Sequence, residues 1–408
     1  MVSLGAVLFG AVTLAACGNG NTAAPGAGGT MVGSGGTAGL GGSGAAGLGG
    51  MGGNGGNSAG MGGSTGMGGA TGSGGAGGSG AGGTGGAAGN AGSAGMGGQM
   101  IEAPPMLSET GLFSVRGQDG ELVLGDDIRE FQPRYPLWSD GSDKRRYVHL
   151  PPGTQIDTSD PDHWVIPIGT KLWKSFISAG QLVETRLIER TGDAPNDFLF
   201  ATYFWMAADA TDAVKMEYSN LLLNAAGTTH DIPNGMMCER CHGALQDRAL
   251  GFSALQLNHD LGGLNLETLN EGWLSDPISL DIGVPGNDQM TQDALGYLHA
   301  NCGNCHNDSP GLPVESVPEP QMYLRVSVND QALEDTGTYQ TAINQATTAS
   351  SELGIDYRIL GGDETESALH FRMTQRMIED QMPPIGTEVT DPDALMLLQS
   401  WIQSLPPP

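Results

Sequence analysis

The first 101 residues of this chain contain no lysine, arginine, aspartate or glutamate. Residues 18–100 are almost entirely Gly, Ala, Ser, Asn and Met. Such a segment has neither the apolar bulk for a core nor the charge for a specific surface, so we expect a disordered tether. A glycine-rich coil of about 80 residues has a root-mean-square span of roughly 50 Å. Its glycines follow no strict repeat, which disfavours the alternative of packed polyproline-like helices.

Basic residues are scarce throughout, because 17 Lys and Arg stand against 45 Asp and Glu, for a formal net charge of −28. Phosphates and anionic lipids would repel so acidic a chain, which excludes nucleic acid and anionic membranes as electrostatic partners. We expect a basic encounter partner instead. The same acidity is also typical of a merely soluble extracytoplasmic domain, and both interpretations stay open.

Cysteine is rare as well, and the first of the five, Cys17, follows an apolar stretch at residues 7–16. The Leu-Ala-Ala-Cys sequence that ends there resembles the cleavage box of bacterial lipoproteins, although no basic residue precedes the apolar stretch. The resemblance implies a lipoprotein signal peptide at residues 1–17 and a membrane anchor on the acylated Cys17. Gly18, where sorting to the inner membrane uses Asp, favours the outer membrane, on its periplasmic side, or the cell surface.

The other four cysteines belong to two Cys-x-x-Cys-His pentads, at residues 238–242 and 302–306. This pentad is the covalent attachment signal of c-type haem, because its two thiols reach both vinyl groups of the porphyrin while the adjacent imidazole binds the iron. We therefore expect two covalently bound haem c groups. The predicted thioether residues are Cys238, Cys241, Cys302 and Cys305, and the predicted iron ligands are His242 and His306.

Two other roles for these cysteines, zinc ligation and disulfide formation, stay open at this point. Four thiolates in two Cys-x-x-Cys pairs also suit a structural zinc site with four sulfur ligands. An oxidising compartment, in turn, favours disulfides. The histidine after each second cysteine favours haem over both, and so does the export signal, which sends the chain to the compartment where haem is attached.

Strands joined by turns are predicted from residue 105 to about residue 234. Residues 181–190 alternate apolar and polar side chains with period two, which is typical of a half-buried strand. Residues 198–206 form a denser apolar and aromatic run that suits a central strand. We expect the tryptophans of this region to lie in or near its core, and they are Trp138, Trp164, Trp173 and Trp205.

The last 120 or so residues show helical periodicity instead. Apolar residues recur every four positions over 290–298, which predicts an amphipathic helix that ends at Cys302. A second helix is predicted over 366–378. A third is predicted to open at Asp391, a capping carboxylate, with Pro392 at the first helical position.

These helices, a Met-Pro-Pro loop at 382–384 and a Leu-x-x-aromatic-Ile pattern at 398–402 together resemble class I cytochrome c. The resemblance implies Met382 as the axial ligand opposite His306, and contact between the first and last of the three helices. A soft thioether ligand favours Fe(II) and raises the reduction potential. Met377 competes for the same position, but it belongs to a helical stripe and is more simply explained as core.

The first pentad is not followed by a Met-Pro pair at cytochrome spacing. His259 is our first choice for the second ligand of this iron. His230, Met290 and an open coordination position are the alternatives.

Residues 105–408 also resemble a wider group of exported haem-binding proteins, in which segments like 107–113 and 135–141 precede two such pentads. We expect an α+β multidomain chain: a β-rich, sandwich-like domain at 101–235, a first haem-binding segment at 236–285 and a cytochrome c-like domain at 286–408.

Three functions remain in view. The first is electron carriage by a lipid-anchored dihaem cytochrome whose partner is another extracytoplasmic redox protein, so we expect a carrier more than a catalyst. The second is a peroxidase-like dihaem enzyme in which one haem keeps an open position. The third is a surface glycan-binding module in which haem is accessory.

Overall fold

In the computed structural model a six-stranded antiparallel sheet lies between Ile128 and Lys215, and helices and loops make up the described residues after it. The structure describes residues 102–243, 245, 248–308, 321–347, 350, 353–376 and 380–408. Cys17, the tether at 18–100 and Met377 lie outside these residues, so the predictions made for them stay predictions. Strands followed by helices confirm the predicted mixture of α and β structure.

The large sheet is a meander in which each strand is antiparallel to the next, in the order β3-β4-β5-β6-β7-β8. The segment predicted from period-two alternation is its longest strand, β6. Ala179 and Gly180, with φ of 50° and 76°, join β5 to β6 in a two-residue turn of the kind that matches strand twist. The strands are β1 (Phe113–Arg116), β2 (Leu122–Leu124), β3 (Ile128–Phe131), β4 (Asp143–His149), β5 (Lys171–Ser178), β6 (Gln181–Arg190), β7 (Phe198–Phe204) and β8 (Val214–Lys215).

The two faces of this sheet bury different cores. One face carries Tyr147, Trp173 and Leu187, which pack beneath the hairpin of β1 and β2 and the short 3-10 helix Ser108–Thr110. The opposite face carries Val148 and Leu172, which join the core of the helical part. Three of the four tryptophans predicted for the core are fully buried, namely Trp164, Trp173 and Trp205, while Trp138 is half-buried.

The helices of the second half are short, and their capping follows the sequence signals. Asp391 accepts a hydrogen bond from the backbone N–H of Ala394 at 3.1 Å, with Pro392 in the first turn. Helix α4 ends at Asn301 and packs against α7. The helices are α1 (Gly235–His242), α2 (Ala254–Leu257), α3 (Leu266–Asn270), α4 (Gln289–Asn301), α5 (Gly337–Thr341), α6 (Ala368–Thr374) and α7 (Pro392–Ser404).

One apolar core joins the sheet to the helices. It contains Phe131 and Leu172 from the sheet, Leu298 from α4, and Leu398 and Trp401 from α7. All the described residues accordingly belong to one compact unit.

Residues 322–326 have an apolar pattern typical of a strand, but they do not pair as one. This extended segment bonds to the second pentad region instead: the backbone N–H of Leu324 donates to the carbonyl of His306 at 2.8 Å, and that of Val326 donates to Nδ1 of His299 at 3.1 Å. Among the described residues, no helix is both long enough and apolar enough to cross a bilayer.

Candidate functional site

The first pentad occupies the second half of α1, which contacts β7 of the sheet. Asn234 caps this helix, because its side-chain oxygen accepts a hydrogen bond from the backbone N–H of Met237 at 3.1 Å. Residues three apart in a helix share a face. Cys238 and Cys241 therefore project from one face of α1, one turn apart.

The ring of His242 is oriented by the backbone that follows α1. Its Nδ1 donates a hydrogen bond to the carbonyl oxygen of Arg248 at 2.7 Å, and its centroid lies 5.7 Å from that of Phe200. Burial lowers the pKa of His242 to about 4, and the charges of Lys174 and Arg186 add to this effect. A neutral imidazole that carries its proton on Nδ1 leaves the lone pair of Nε2 for a metal.

A cavity of about 390 Å³ opens between α1 and the sheet. Cys238 and His242 line it from the helix. Leu172, Ile188 and Phe200 line it from β5, β6 and β7 and make that wall apolar. Cofactor and small-molecule sites are typically about 300–1,000 Å³ and mostly apolar. The residues present thus fit an apolar cofactor attached to α1.

The same wall of the cavity also bears positive charge. Arg146, Lys174 and Arg186 line it from three neighbouring strands. They belong to the sheet face that is directed at α1. Sequence reasoning missed them, although consecutive basic residues at 144–146 are a conspicuous signal in so acidic a chain.

The second pentad begins where α4 ends. Cys302 is the residue that caps the helix C-terminus, and its backbone N–H donates to the carbonyl of Leu298 at 2.9 Å. The carbonyl of Cys302 then accepts the backbone N–H of Cys305 at 3.0 Å and that of His306 at 2.8 Å. A tight turn at the end of α4 therefore carries both thiols and the imidazole, as the periodicity predicted.

Gly303 lies where the chain leaves no room for a side chain. A Cβ at this position would stand 2.7 Å from the carbonyl oxygen of His299 and 3.0 Å from the Cα of Arg325. Both neighbours are backbone atoms, which cannot swing aside. The second pentad is thus packed tightly against residues 322–326.

The two pentads meet in the folded chain. The thiols of Cys241 and Cys305 lie close enough to interact, and this interaction lowers the pKa of the Cys241 thiol to about 7 and raises that of Cys305. All four pentad cysteines are free thiols in the structure. Among the residues that the structure describes, no three Cys, His, Asp or Glu side chains converge as a metal site. The four cysteines are therefore not arranged as the zinc tetrahedron that the sequence left open.

Met382 lies in the loop between α6 and α7 and is half-buried. Its backbone N–H donates to the carbonyl of Arg372, in α6, at 3.0 Å. The preceding residue, Gln381, uses its side-chain amide to donate to the carbonyls of Pro383 and Thr387 at 3.0 and 2.8 Å. The loop around Met382 is thus fixed by hydrogen bonds, and the role of Met382 as an axial ligand stays a prediction.

The structure places the suggested second ligands of the first iron elsewhere than in the cavity lining. His259 engages both ring nitrogens, with Nε2 2.6 Å from the carbonyl of Gln132 and Nδ1 accepting the N–H of Leu261 at 3.1 Å. His230 also engages both, with Glu184 at 2.8 Å and Ser142 at 3.3 Å.

The third candidate, Met290, packs against the main core from α4. None of the three histidine or methionine candidates lines the described cavity beside His242.

Residues 135–141 brace the second pentad, a role that sequence reasoning did not assign. The ring of Tyr135 lies so close to Gly296 of α4 that a Cβ there would fall 2.2 Å from a ring carbon. The indole N–H of Trp138 donates to the carbonyl of Val389 at 2.9 Å. We call residues 135–141 the strap, because they connect α4 with the loop that follows Met382.

No family model matches this chain, and neither a curated protein nor a solved structure does so.

Proposed function

We propose that this protein is an exported, lipid-anchored c-type cytochrome whose two haems carry electrons between redox partners. The contact between Cys241 and Cys305 carries the proposal, because it joins two attachment motifs that are distant in sequence. Electron transfer between cofactors slows steeply as the gap between them widens. Attachment points that adjoin therefore favour electron transfer from one haem to the other, rather than two haems that act independently.

Haem would supply one-electron chemistry at iron, and the chain would hold and tune it. His242 and His306 would bind iron through their imidazoles, and the four pentad cysteines would form the thioethers. Met382 would be a further ligand of the second iron, and its thioether would favour the reduced state. Leu172 and Phe200 would exclude water from the first site.

A dihaem enzyme of the peroxidase kind is the second candidate. The observation that favours it is the placement of His259 and His230, whose ring nitrogens are engaged away from the cavity beside His242. An iron at His242 could then keep an open position for a small substrate. A glycan-binding module draws no such support, because Trp164, Trp173 and Trp205 are buried and cannot stack on a sugar.

The location that we propose is the outer membrane or the cell surface, with acylated Cys17 as the anchor and residues 18–100 as a tether. The net charge of −28 supports a basic redox protein as the partner. The cytochrome c-like part would be residues 286–408. The sheet, which precedes it in the sequence, would form part of the binding site of the first haem.

Expression of the full chain alongside a haem-attachment system tests the proposal. The purified protein should give a pyridine-haemochrome spectrum and an intact mass that both report two haems. Replacing Cys238 and Cys241 with Ser should remove one haem, and replacing Cys302 and Cys305 should remove the other. A colourless protein that retains zinc would refute the proposal.

The matched control is Cys17→Ser, which should release the protein from membranes while both haems remain attached. Electron paramagnetic resonance then tests the contact between the pentads. The oxidised dihaem protein should show magnetic coupling that is absent from both single-haem variants. Rapid turnover of hydrogen peroxide with an artificial donor would favour the enzyme over the carrier.

A further inference from the structure

Three basic side chains stand directly opposite one another across the middle of the sheet. Arg146 on β4 pairs with Lys174 on β5, which pairs with Arg186 on β6. Side chains at such positions are about 5 Å apart at Cβ, and like charges there repel. The chain has only 17 basic residues, so three in one row on a half-covered sheet face indicate a specific use for positive charge.

Arg186 has its partner within the protein. Its guanidinium donates to the carboxylate of Glu184 at 2.5 and 2.9 Å. The same carboxylate also bonds to His230 at 2.8 Å, and Glu184 is fully buried. One carboxylate thus serves both Arg186 and His230, and among the described residues it makes no hydrogen bond to Arg146 or Lys174.

Arg146 and Lys174 have no hydrogen-bonding or ion-pair partner in the part of the chain that the structure describes. Arg146 is only 6% exposed, and Lys174 places its ammonium 5.1 Å from the ring centroid of Phe176. Burying an unpaired charge costs several kcal/mol. Both side chains line the cavity that Cys238 and His242 line from the other side.

We propose that Arg146 and Lys174 bind the two propionate carboxylates of the first haem. This inference rests on the proposed function and adds to it the means by which the first haem is neutralised and held. Haem has one apolar macrocycle and two carboxylates, which matches one apolar wall and two unpartnered cations. Arginine suits such a carboxylate because its planar fork can donate two parallel hydrogen bonds.

The test compares reduction potentials of the dihaem protein at about pH 8, where carboxylic acids are ionised. A nearby positive charge favours the reduced haem, so its removal lowers the potential. The double variant Arg146→Gln with Lys174→Gln should keep both thioether-bound haems and show a downward shift in the potential of one haem. Each single variant should show part of this shift.

Lys144→Gln is the matched control, because Lys144 lies on the same strand and face as Arg146, outside the cavity lining. Its potentials should differ from those of the wild type by much less than those of the double variant. Arg146→Lys and Lys174→Arg keep the charge and should restore most of the potential, which covers the case of a double variant that does not fold. Unchanged potentials in a folded double variant with both haems attached would overturn the inference.

A diffusible anion is the other source of the same chemistry. If acetate or phosphate occupied the two cations, the wild-type potential would shift with its concentration at constant ionic strength, and the double variant would not respond. That result would overturn the assignment to haem propionates. A protein without haem refutes the proposed function itself, so the two failures are distinguishable by the pyridine-haemochrome spectrum.

Discussion

The backbone N–H of Trp138 donates a hydrogen bond to Oδ1 of Asn301 at 2.7 Å, and the Asn301 amide returns one to the carbonyl of Pro136 at 3.3 Å. Asn301 is the last residue of α4 and precedes Cys302. The strap is therefore joined to the second pentad at the very residue before its first thiol. Resemblance to a wider group of proteins drew attention to this segment, and the structure shows what it contacts.

Asp140 should control the order of the loop after Met382. Its Oδ1 accepts the backbone N–H groups of Glu388 and Val389, both at 2.8 Å. Asp140→Ala removes both bonds and should cost about 1–3 kcal/mol of stability. Hydrogen exchange of these two amides should accelerate, whereas Asp140→Asn keeps the acceptor and tolerates the φ of 51°. Equal exchange rates in Asp140→Ala and wild type would contradict this role.

Gly303→Ala should destabilise the protein, because the added methyl group would meet the backbone of Arg325 and the carbonyl of His299. Overpacking of this kind costs typically about 1–3 kcal/mol. Gly283→Ala is the control, since a Cβ there meets no atom within 4 Å. Urea unfolding of both variants provides the measurement. A Gly303→Ala protein as stable as Gly283→Ala would show that the extended segment can move away from the pentad.

Glu184→Gln should be strongly destabilising, because it leaves Arg186 without its carboxylate. Breaking a buried ion pair costs about 3–5 kcal/mol. Burial would raise the pKa of Glu184, but the charge of Arg186 and hydrogen bonds from His230 and Arg186 lower it overall.

A pKa that is lower in the folded state sets the sign of the pH dependence. As the pH falls, the Glu184 carboxylate is protonated first in the unfolded chain, near the ordinary Glu pKa of about 4.3. The stabilisation that the ionised Glu184 provides is therefore complete above that pH. It is lost as the pH falls through the pKa of Glu184 in the folded protein. Unfolding curves from neutral to acid pH should show a smaller loss of stability for Glu184→Gln than for the wild type, and parallel slopes would argue against the assignment.

Leu398→Ala should weaken the contact between α4 and α7. Leu398 is fully buried, and such truncations cost about 2–5 kcal/mol. Met396→Ala on the same helix is the control, since Met396 is 59% exposed and its replacement should change stability little.

Because one core joins sheet and helices, circular dichroism and tryptophan fluorescence should report one coincident unfolding transition. Two separate transitions would contradict the shared core.

Local elements could be predicted where the chain carries a strong local signal. Strand β6 follows from alternation, and the start of α7 follows from Asp391 and Pro392. The segment 322–326 has the apolar pattern of a strand, but Leu324 and Val326 within it are buried without pairing to a neighbouring strand. A segment that is buried without pairing and a segment that pairs as a strand show the same pattern of apolar residues.

Relationships between distant parts of the chain could not be predicted in this way. Nothing local to Cys241 or Cys305 indicates that they touch. The row of Arg146, Lys174 and Arg186 exists only once the register of three strands is known. Haem attachment is a prediction that the pentads alone allow, whereas the cavity and its charge required the fold.

The contact between Cys241 and Cys305 also bears on how the protein matures. In an oxidising compartment an external disulfide oxidant can take two electrons and two protons from a pair of neighbouring thiols and leave them joined as a disulfide, and neither sulfur could then react with a vinyl group. If haem is attached as we propose, attachment of at least one haem would have to precede the approach of the two pentads, or a reductant would have to keep both thiols reduced. On the proposed function, the yield of mature protein would therefore depend on how fast haem is attached relative to how fast the chain folds.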